Sequence, residues 1–249
     1  MIRRTALTMA AAAVALSGAA CTAAPSEDAS PAITIAAAAS LTDVFEAIGR
    51  AFTEETGIAV SFSFAASSAI AEQIRGGAPI DVFASAGVTV MDPLAAEQLV
   101  TDVAAFASNS LAIAVPAGNP GEVRSLADLS RVSVVVCQEQ VPCGVATAQM
   151  LERSALAITP VSFEPDVRSV LGKIVADEAD AGIVYVTDSA GRSDVESIAI
   201  PQDANVSATY QAAVVTASAR TEAASAFISY LTGPAAQAVL AAAGFEPAP

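Results

Sequence analysis

Residues 33–52 read ITIAAAASLTDVFEAIGRAF, and the reading of this stretch decides the fold. The β-branched run Ile33-Thr34-Ile35 predicts a short strand. Leu41, Phe45, Ile48 and Phe52 then recur at helical spacing, so a helix follows, and Gly57 ends it. Between strand and helix lie only small residues and Ser40. Outward from this unit the same alternation continues. Ile58 to Phe64 alternates as a second strand, Ala69 to Gly76 is helical, Asp81 to Ser85 is a buried strand, and Val88 to Val100 is helical again. Leu111 to Val115, Val132 to Val136, Gly182 to Val186 and Ala212 to Val215 read as further buried strands. Helices fall around 144–154 and 166–178, and a last one spans 221–242 with an interruption near Gly233-Pro234. Strand-helix alternation predicts an α/β fold with mostly parallel sheets covered on both faces. The length fits two lobes, with the chain crossing near 110 and returning near 212. No internal repeat is visible.

Composition narrows the chemistry. Of 249 residues, 54% are hydrophobic and 15% charged, enough to bury a sizeable core and too apolar for a disordered chain. The body has no apolar run approaching the roughly 18 residues of a membrane-spanning helix. Eleven Lys+Arg stand against 26 Asp+Glu, a formal charge of −15, which supplies no basic footprint for nucleic acid. Histidine is absent, which removes Ser-His and Cys-His catalysis, imidazole zinc sites and the ordinary proton shuttle near neutral pH. No convincing Ser-x-x-Lys motif stands in for them, so Ser40, Ser67 and Cys143 have nothing to activate them as nucleophiles. The chain reads as a binding protein rather than an enzyme.

The first 31 residues read as an address. Arg3 and Arg4 form a basic start, and Ala6 to Ala20 is apolar and small, so residues 1–20 are a signal peptide. Cys21 directly follows Leu16-Ser17-Gly18-Ala19-Ala20, which resembles a bacterial lipobox with Gly18 where leucine is usual. Lipidation of Cys21 would place the protein outside the cytoplasm on the outer face of the cell membrane, with 21–31 as a flexible tether. The alternative is ordinary cleavage nearby and a secreted protein with a spare thiol. Loss of residues 1–20 removes the two positive charges of Arg3 and Arg4, taking −15 to −17. With Cys21 lipidated, Cys137 and Cys143 remain, six positions apart in an oxidising compartment; they form a natural disulfide pair or, alternatively, two buried thiols.

Four places share one pattern, a strand or loop, then small or hydroxyl residues, then a helix start. They are Ala37-Ala38-Ala39-Ser40-Leu41-Thr42-Asp43, Phe64-Ala65-Ala66-Ser67-Ser68-Ala69, Val141-Pro142-Cys143-Gly144 and Glu164-Pro165-Asp166-Val167-Arg168. Ser40 with Asp43 three residues on matches a capping box, so Ser40 has a plain reading as a helix cap. Helix starts also expose unpaired N–H donors and positive dipole ends, so several converging would make an anion site. Together with Gly77-Ala78-Pro79-Ile80-Asp81-Val82-Phe83-Ala84-Ser85-Ala86, Gly182-Ile183-Val184-Tyr185 and Gly233-Pro234-Ala235-Ala236, these segments resemble, in order and spacing across roughly 32–247, the periplasmic molybdate-binding proteins of ABC transporters.

The resemblance implies the two-lobed, type II periplasmic-binding-protein fold, with 32–111 and 213–249 in one lobe and 112–212 in the other. It implies a cleft that closes over a tetrahedral oxyanion, molybdate or tungstate, with no cofactor. Carried over residue by residue, Ser40 and Ser67 would each give a hydroxyl and a backbone N–H. Cys143 and Val167 would give backbone N–H groups, and Tyr185 its phenol. Cys143 stands where the family often has alanine, and only its N–H is needed. The partners implied are a membrane permease and ATPase, with the binding protein a monomer. Arg168 reads as a surface or interlobe ion pair beside this set, and Tyr185 also fits a core tyrosine ending a buried strand. Other outcomes are a binding protein for another oxyanion such as sulfate, or a sensory lipoprotein. If Cys21 carries lipid, the native protein partitions with membranes and Cys21→Ser releases it or blocks its processing; fractionation checks this, and a wild-type protein wholly in the medium would refute it.

Overall fold

Two copies of one βαβαβ unit are joined by two strands that run between them. The structure, a computed structural model, describes residues 32–249. The signal segment 1–20, Cys21 and the tether 21–31 lie outside the described residues. In chain order, β1 (Ala32–Ala38) leads through a 3-10 turn (Ala39–Leu41) into α1 (Thr42–Thr56), followed by β2 (Ala59–Ala65), α2 (Ser67–Arg75) and β3 (Val82–Ser85). Next come α3 (Val88–Ala96) and β4 (Val100–Pro116). The second unit is β5 (Val134–Cys137), α4 (Pro142–Arg153), β6 (Ser162–Glu164), α5 (Val167–Val175) and β7 (Ala181–Tyr185). Then α6 (Val186–Ser189), β8 (Val195–Ala199), β9 (Ser207–Val215), α7 (Thr221–Leu231) and α8 (Pro234–Ala242) complete the chain.

In each unit the first strand lies between the other two and runs parallel to both. The antiparallel pairings all belong to the linking strands and β8: β9 pairs with β3 and β4, and β4 pairs with β7 and β8. Each unit is braced alike by a carboxylate ahead of its third strand. The Thr34 N–H donates to Asp81 Oδ2 at 2.8 Å, and the Ser133 N–H donates to Asp180 Oδ2 at 2.8 Å, with 47 positions between partners in both cases. The repeat is therefore structural, although the sequence does not display it.

β4 is the element that the sequence reading cut short. Its residues 100–110 pair with β9 in the first sheet, and 111–116 pair with β7 and β8 in the second. Register shifts at Thr101/Ala104 and Ala105/Ala107, and Asp102 at φ 53°, interrupt the alternation that would have revealed a strand. The preceding helix ends at Ala96 because Gln98 turns at φ 59°, so Val100, expected to be helical, is the first residue of β4. β9 begins at Ser207, and its pairing with β4 starts there, so the expected return near 212 falls inside a strand. Just before β9, the Asn205 amide accepts the Leu111 N–H at 3.0 Å and donates to the Leu111 carbonyl at 2.9 Å, pinning the place where β4 passes between sheets.

Apolar packing follows the same division. One cluster draws on residues from Leu111 to Val206 and is almost wholly aliphatic. A second, rich in Phe45, Phe52, Phe106 and Phe227, covers one face of the first sheet, and a third around Ile70, Phe83 and Met91 covers the other. Gly57, at φ 72°, ends α1 as read from the sequence.

The loop from β5 to α4 is closed by the Cys137–Cys143 disulfide, with Cα atoms 5.7 Å apart. The Gln138 N–H donates to the Glu164 carbonyl at 2.8 Å, which holds the loop against β6. A Cβ on Gly144 would stand 1.9 Å from the Gln138 carbonyl oxygen, in a loop that the disulfide prevents from yielding. Gly144→Ala should therefore cost about 1–3 kcal/mol. For a chain of this size that is a Tm lower by roughly 3–10 °C in a thermal melt, and an unchanged Tm would show that the loop gives way.

Candidate anion site

The first and second strands of each unit end toward the same place, and each hands over there to a helix or 3-10 turn. Carboxyl ends of parallel strands on either side of the point where strand order reverses form a crevice. Here the crevices of the two units face one another. The cavity between them is lined by Ala38, Ala39 and Ser40 at the end of β1, by Ala65, Ala66 and Ser67 at the end of β2, and by Ala86. From the second unit come Val141, Pro142 and Cys143 after β5, Asp166 and Val167 after β6, and Tyr185 closing β7. All five residues singled out from the sequence, Ser40, Ser67, Cys143, Val167 and Tyr185, stand in this wall.

Why these helix starts can hold an anion is clear from their caps. A helix leaves its first N–H groups without intrahelical partners, and a side-chain oxygen at the cap normally takes one of them. The cap residues are Ala38 for the 3-10 turn, Ala66 for α2 and Val141 for α4, and none makes a side-chain cap bond. Only α5 is capped in the usual way, by Asp166, whose Oδ1 accepts the Ser169 N–H at 2.9 Å. That bond leaves the Val167 N–H free at the first helical position. Pro142 opens α4 without an N–H, so the next residue, Cys143, presents the leading donor. Alanine and valine at cap positions thus leave donors and dipole ends to whatever occupies the cavity.

The capping-box reading of Ser40 is corrected by this geometry. Ser40 lies within the 3-10 turn, one residue short of the α1 cap Leu41, and its Oγ lies 2.9 Å from the Tyr210 hydroxyl. Asp43 turns instead to Arg168. Ser67 is likewise no cap but the first residue of α2, and its Oγ accepts the Ala86 N–H at 3.0 Å. With Ala86 donating to it, Ser67 keeps its hydroxyl proton for a ligand; Ser40 does the same when Tyr210 is the donor of their pair, a bond that either hydroxyl can donate. Tyr210 and the Ala86 N–H were missed in the sequence. Tyr210 lies in no motif and Ala86 only ends one, and each meets its serine only through β9 or the end of β3.

Tyr185 is 1% exposed, and its hydroxyl has no hydrogen-bond partner among the described residues. Burial first, then the Asp188 carboxylate, push its pKa upward, so the phenol stays protonated and is a donor. Its ring packs edge-on against Tyr210 with centroids 6.0 Å apart, which joins the two halves of the wall. Behind it, Asp188 Oδ2 accepts the Tyr185 N–H at 3.0 Å. Burial pushes the Asp188 carboxyl up to about 7 against the downward pull of Arg168 and that N–H. Among the described residues no Lys or Arg lines the cavity. Among the described residues no group of three or more His, Cys, Asp or Glu could hold a metal ion.

Comparison with known proteins agrees with this architecture. Residues 33–246 match the family described as bacterial extracellular solute-binding protein. The molybdate-binding protein ModA of Mycobacterium tuberculosis is 40% identical over 218 residues, covering 86% of this chain and 84% of that one. The periplasmic molybdate-binding protein of Azotobacter vinelandii superposes with a TM-score of 0.76 at 23% identity, over 86% of this chain and 98% of that one. The sulfate-binding protein SubI of Mycobacterium tuberculosis superposes with a TM-score of 0.77 at 23% identity, over 87% of each chain. These two likenesses are of fold alone. From the family match and the 40% identity, the chain belongs to the bacterial extracellular solute-binding proteins and, within them, to the ModA family.

Proposed function

We propose that this protein captures molybdate or tungstate in the cavity between its lobes and delivers it to the permease and ATPase of an ABC transporter. It works outside the cytoplasm, held at the outer face of the membrane through lipid on Cys21. The lobes that close over the anion are 32–110 with 207–249, and 111–206, a division that follows the sheet pairings. Ser40 and Ser67 donate through hydroxyl and backbone, Cys143 and Val167 through backbone N–H, and Tyr185 through its phenol. The reading is carried by the Tyr185 hydroxyl, a buried donor in the cavity wall with no partner among the described residues. A buried polar group left unpaired costs roughly 1–3 kcal/mol, so a ligand oxygen is what this one lacks. Support also comes from the relatives in the same family that bear the name molybdate-binding protein.

Donors set the selectivity, since the one carboxylate of the wall, Asp166, is engaged by the Ser169 N–H. A fully deprotonated dianion accepts every bond offered, whereas the proton of hydrogen phosphate would face another donor. Sulfate passes that test, and against it the discrimination rests on size. The test is calorimetry of the mature chain with molybdate, tungstate, sulfate and phosphate. Molybdate and tungstate should bind far more tightly than the other two, and equal heats for sulfate and molybdate would overturn the assignment. Tyr185→Phe should weaken molybdate binding by about 10- to 150-fold, the worth of a hydrogen bond to a charged group. The same change should leave the ligand-free protein at least as stable in a thermal melt, because it removes an unpaired hydroxyl. An unchanged dissociation constant would return Tyr185 to the core.

A further inference from the structure

Arg168 reaches from the second lobe into the first. It follows the proposed donor Val167 on α5, and its Nη2 donates to Asp43 Oδ2 on α1. Its Nε donates to the carbonyl of Ala39 at 3.3 Å, the residue before Ser40. The same Nε lies 3.8 Å from Asp188 Oδ1, which belongs to its own lobe. The Asp188 side chain is wholly buried; its Oδ2 is engaged by the Tyr185 N–H, and its Oδ1 has no hydrogen-bond partner among the described residues. The guanidinium therefore stands between acceptors on opposite sides of the cleft. If the lobes part, Asp43 and Ala39 leave with the first lobe, and Asp188 Oδ1 remains as the waiting acceptor.

We propose that Arg168 is the interlobe clasp of this site, a positioning residue that trades Asp188 in the open protein for Asp43 and the Ala39 carbonyl in the closed one, and so sets how long a captured anion stays. The inference rests on the solute-capture reading above. Closing the cleft brings positive helix ends from both lobes together, which is unfavourable until an anion lies between them. A contact made only on closure offsets part of that cost and slows reopening. It also fixes the separation of Val167 from Ser40, since Arg168 adjoins the former and grips the residue before the latter. Its effect belongs on the dissociation rate, because encounter happens with the cleft open. The size is modest. Asp43 is 79% exposed, so that ion pair is weak alone, and the charge-assisted bond to Ala39 adds to it.

The test uses stopped-flow tyrosine fluorescence of the mature chain with molybdate, which its three tyrosines and absence of tryptophan permit. Arg168→Gln and Asp43→Asn should raise the dissociation rate by about 3- to 10-fold while the association rate stays within about twofold, and Arg168→Lys should fall between Arg168→Gln and wild type. Asp43→Asn matters because Arg168→Gln strips a buried carboxylate of its cation and could impair folding. Wild-type dissociation rates in folded Arg168→Gln or in Asp43→Asn would overturn the clasp while leaving molybdate capture standing. If the wild type itself gives no response to molybdate, the capture reading falls and the clasp, which acts only on a captured anion, is overturned with it.

Discussion

Everything in this molecule depends on backbone N–H groups that secondary structure leaves unpaired. Helix starts normally spend these donors on a cap, yet Ala38, Ala66 and Val141 offer no oxygen. The omission is tolerable only where something else accepts. It also explains the composition of the cavity wall, in which small residues let oxygen approach the backbone closely. Five alanines, at 38, 39, 65, 66 and 86, stand there. Pro142 and the Cys137–Cys143 disulfide serve the same end, aiming the leading donor of α4 and holding it still. Less order then has to be gained when a ligand arrives.

Convergence of these starts is a property of topology. A βαβαβ unit puts two helix starts at the carboxyl ends of neighbouring parallel strands, and β4 with β9 holds two such units so that their crevices face each other. The linking strands form a β ladder with two register shifts, pinned by Asn205 on Leu111 where β4 passes between the sheets, so relative motion of the lobes is confined to a short stretch of backbone. The twin braces, Thr34 with Asp81 and Ser133 with Asp180, fix each third strand against its first. One construction used twice thus yields a site with donors on both sides.

Much of this was legible in the residues. The strand-helix alternation, the break at Gly233-Pro234, the Gly57 stop and the four helix starts could all be read, because each rests on local spacing or on one special residue. The five proposed donors were legible only through resemblance, since an unpaired N–H leaves no mark on side-chain identity. What escaped was non-local. β4 is hidden by bulges that break its period of two, and the return crossing by the small residues Ser207, Ala208 and Thr209 that begin β9. Ser40 reads as a cap as well as a donor because its spacing to Asp43 fits a capping box. Only the fold shows that Tyr210 claims the serine and Arg168 the aspartate.

The acidity of the chain makes sense in the same terms. A protein of formal charge −15 opposes the approach of a dianion at long range, although screening confines this to about 8 Å at physiological salt. Affinity therefore cannot come from steering, and no cation in the cavity wall supplies it. Arg168, beside the site, is occupied by Asp43 and faced by Asp188, so its charge is largely spent before a ligand arrives. A full positive charge in the wall would favour any anion of suitable size, protonated or not. Oriented dipoles are more demanding, since each contributes only where an acceptor meets its N–H or O–H in line. Slow entry against an acidic surface is then compatible with tight binding only if release is slower still, which places the weight of affinity on how firmly the lobes stay shut.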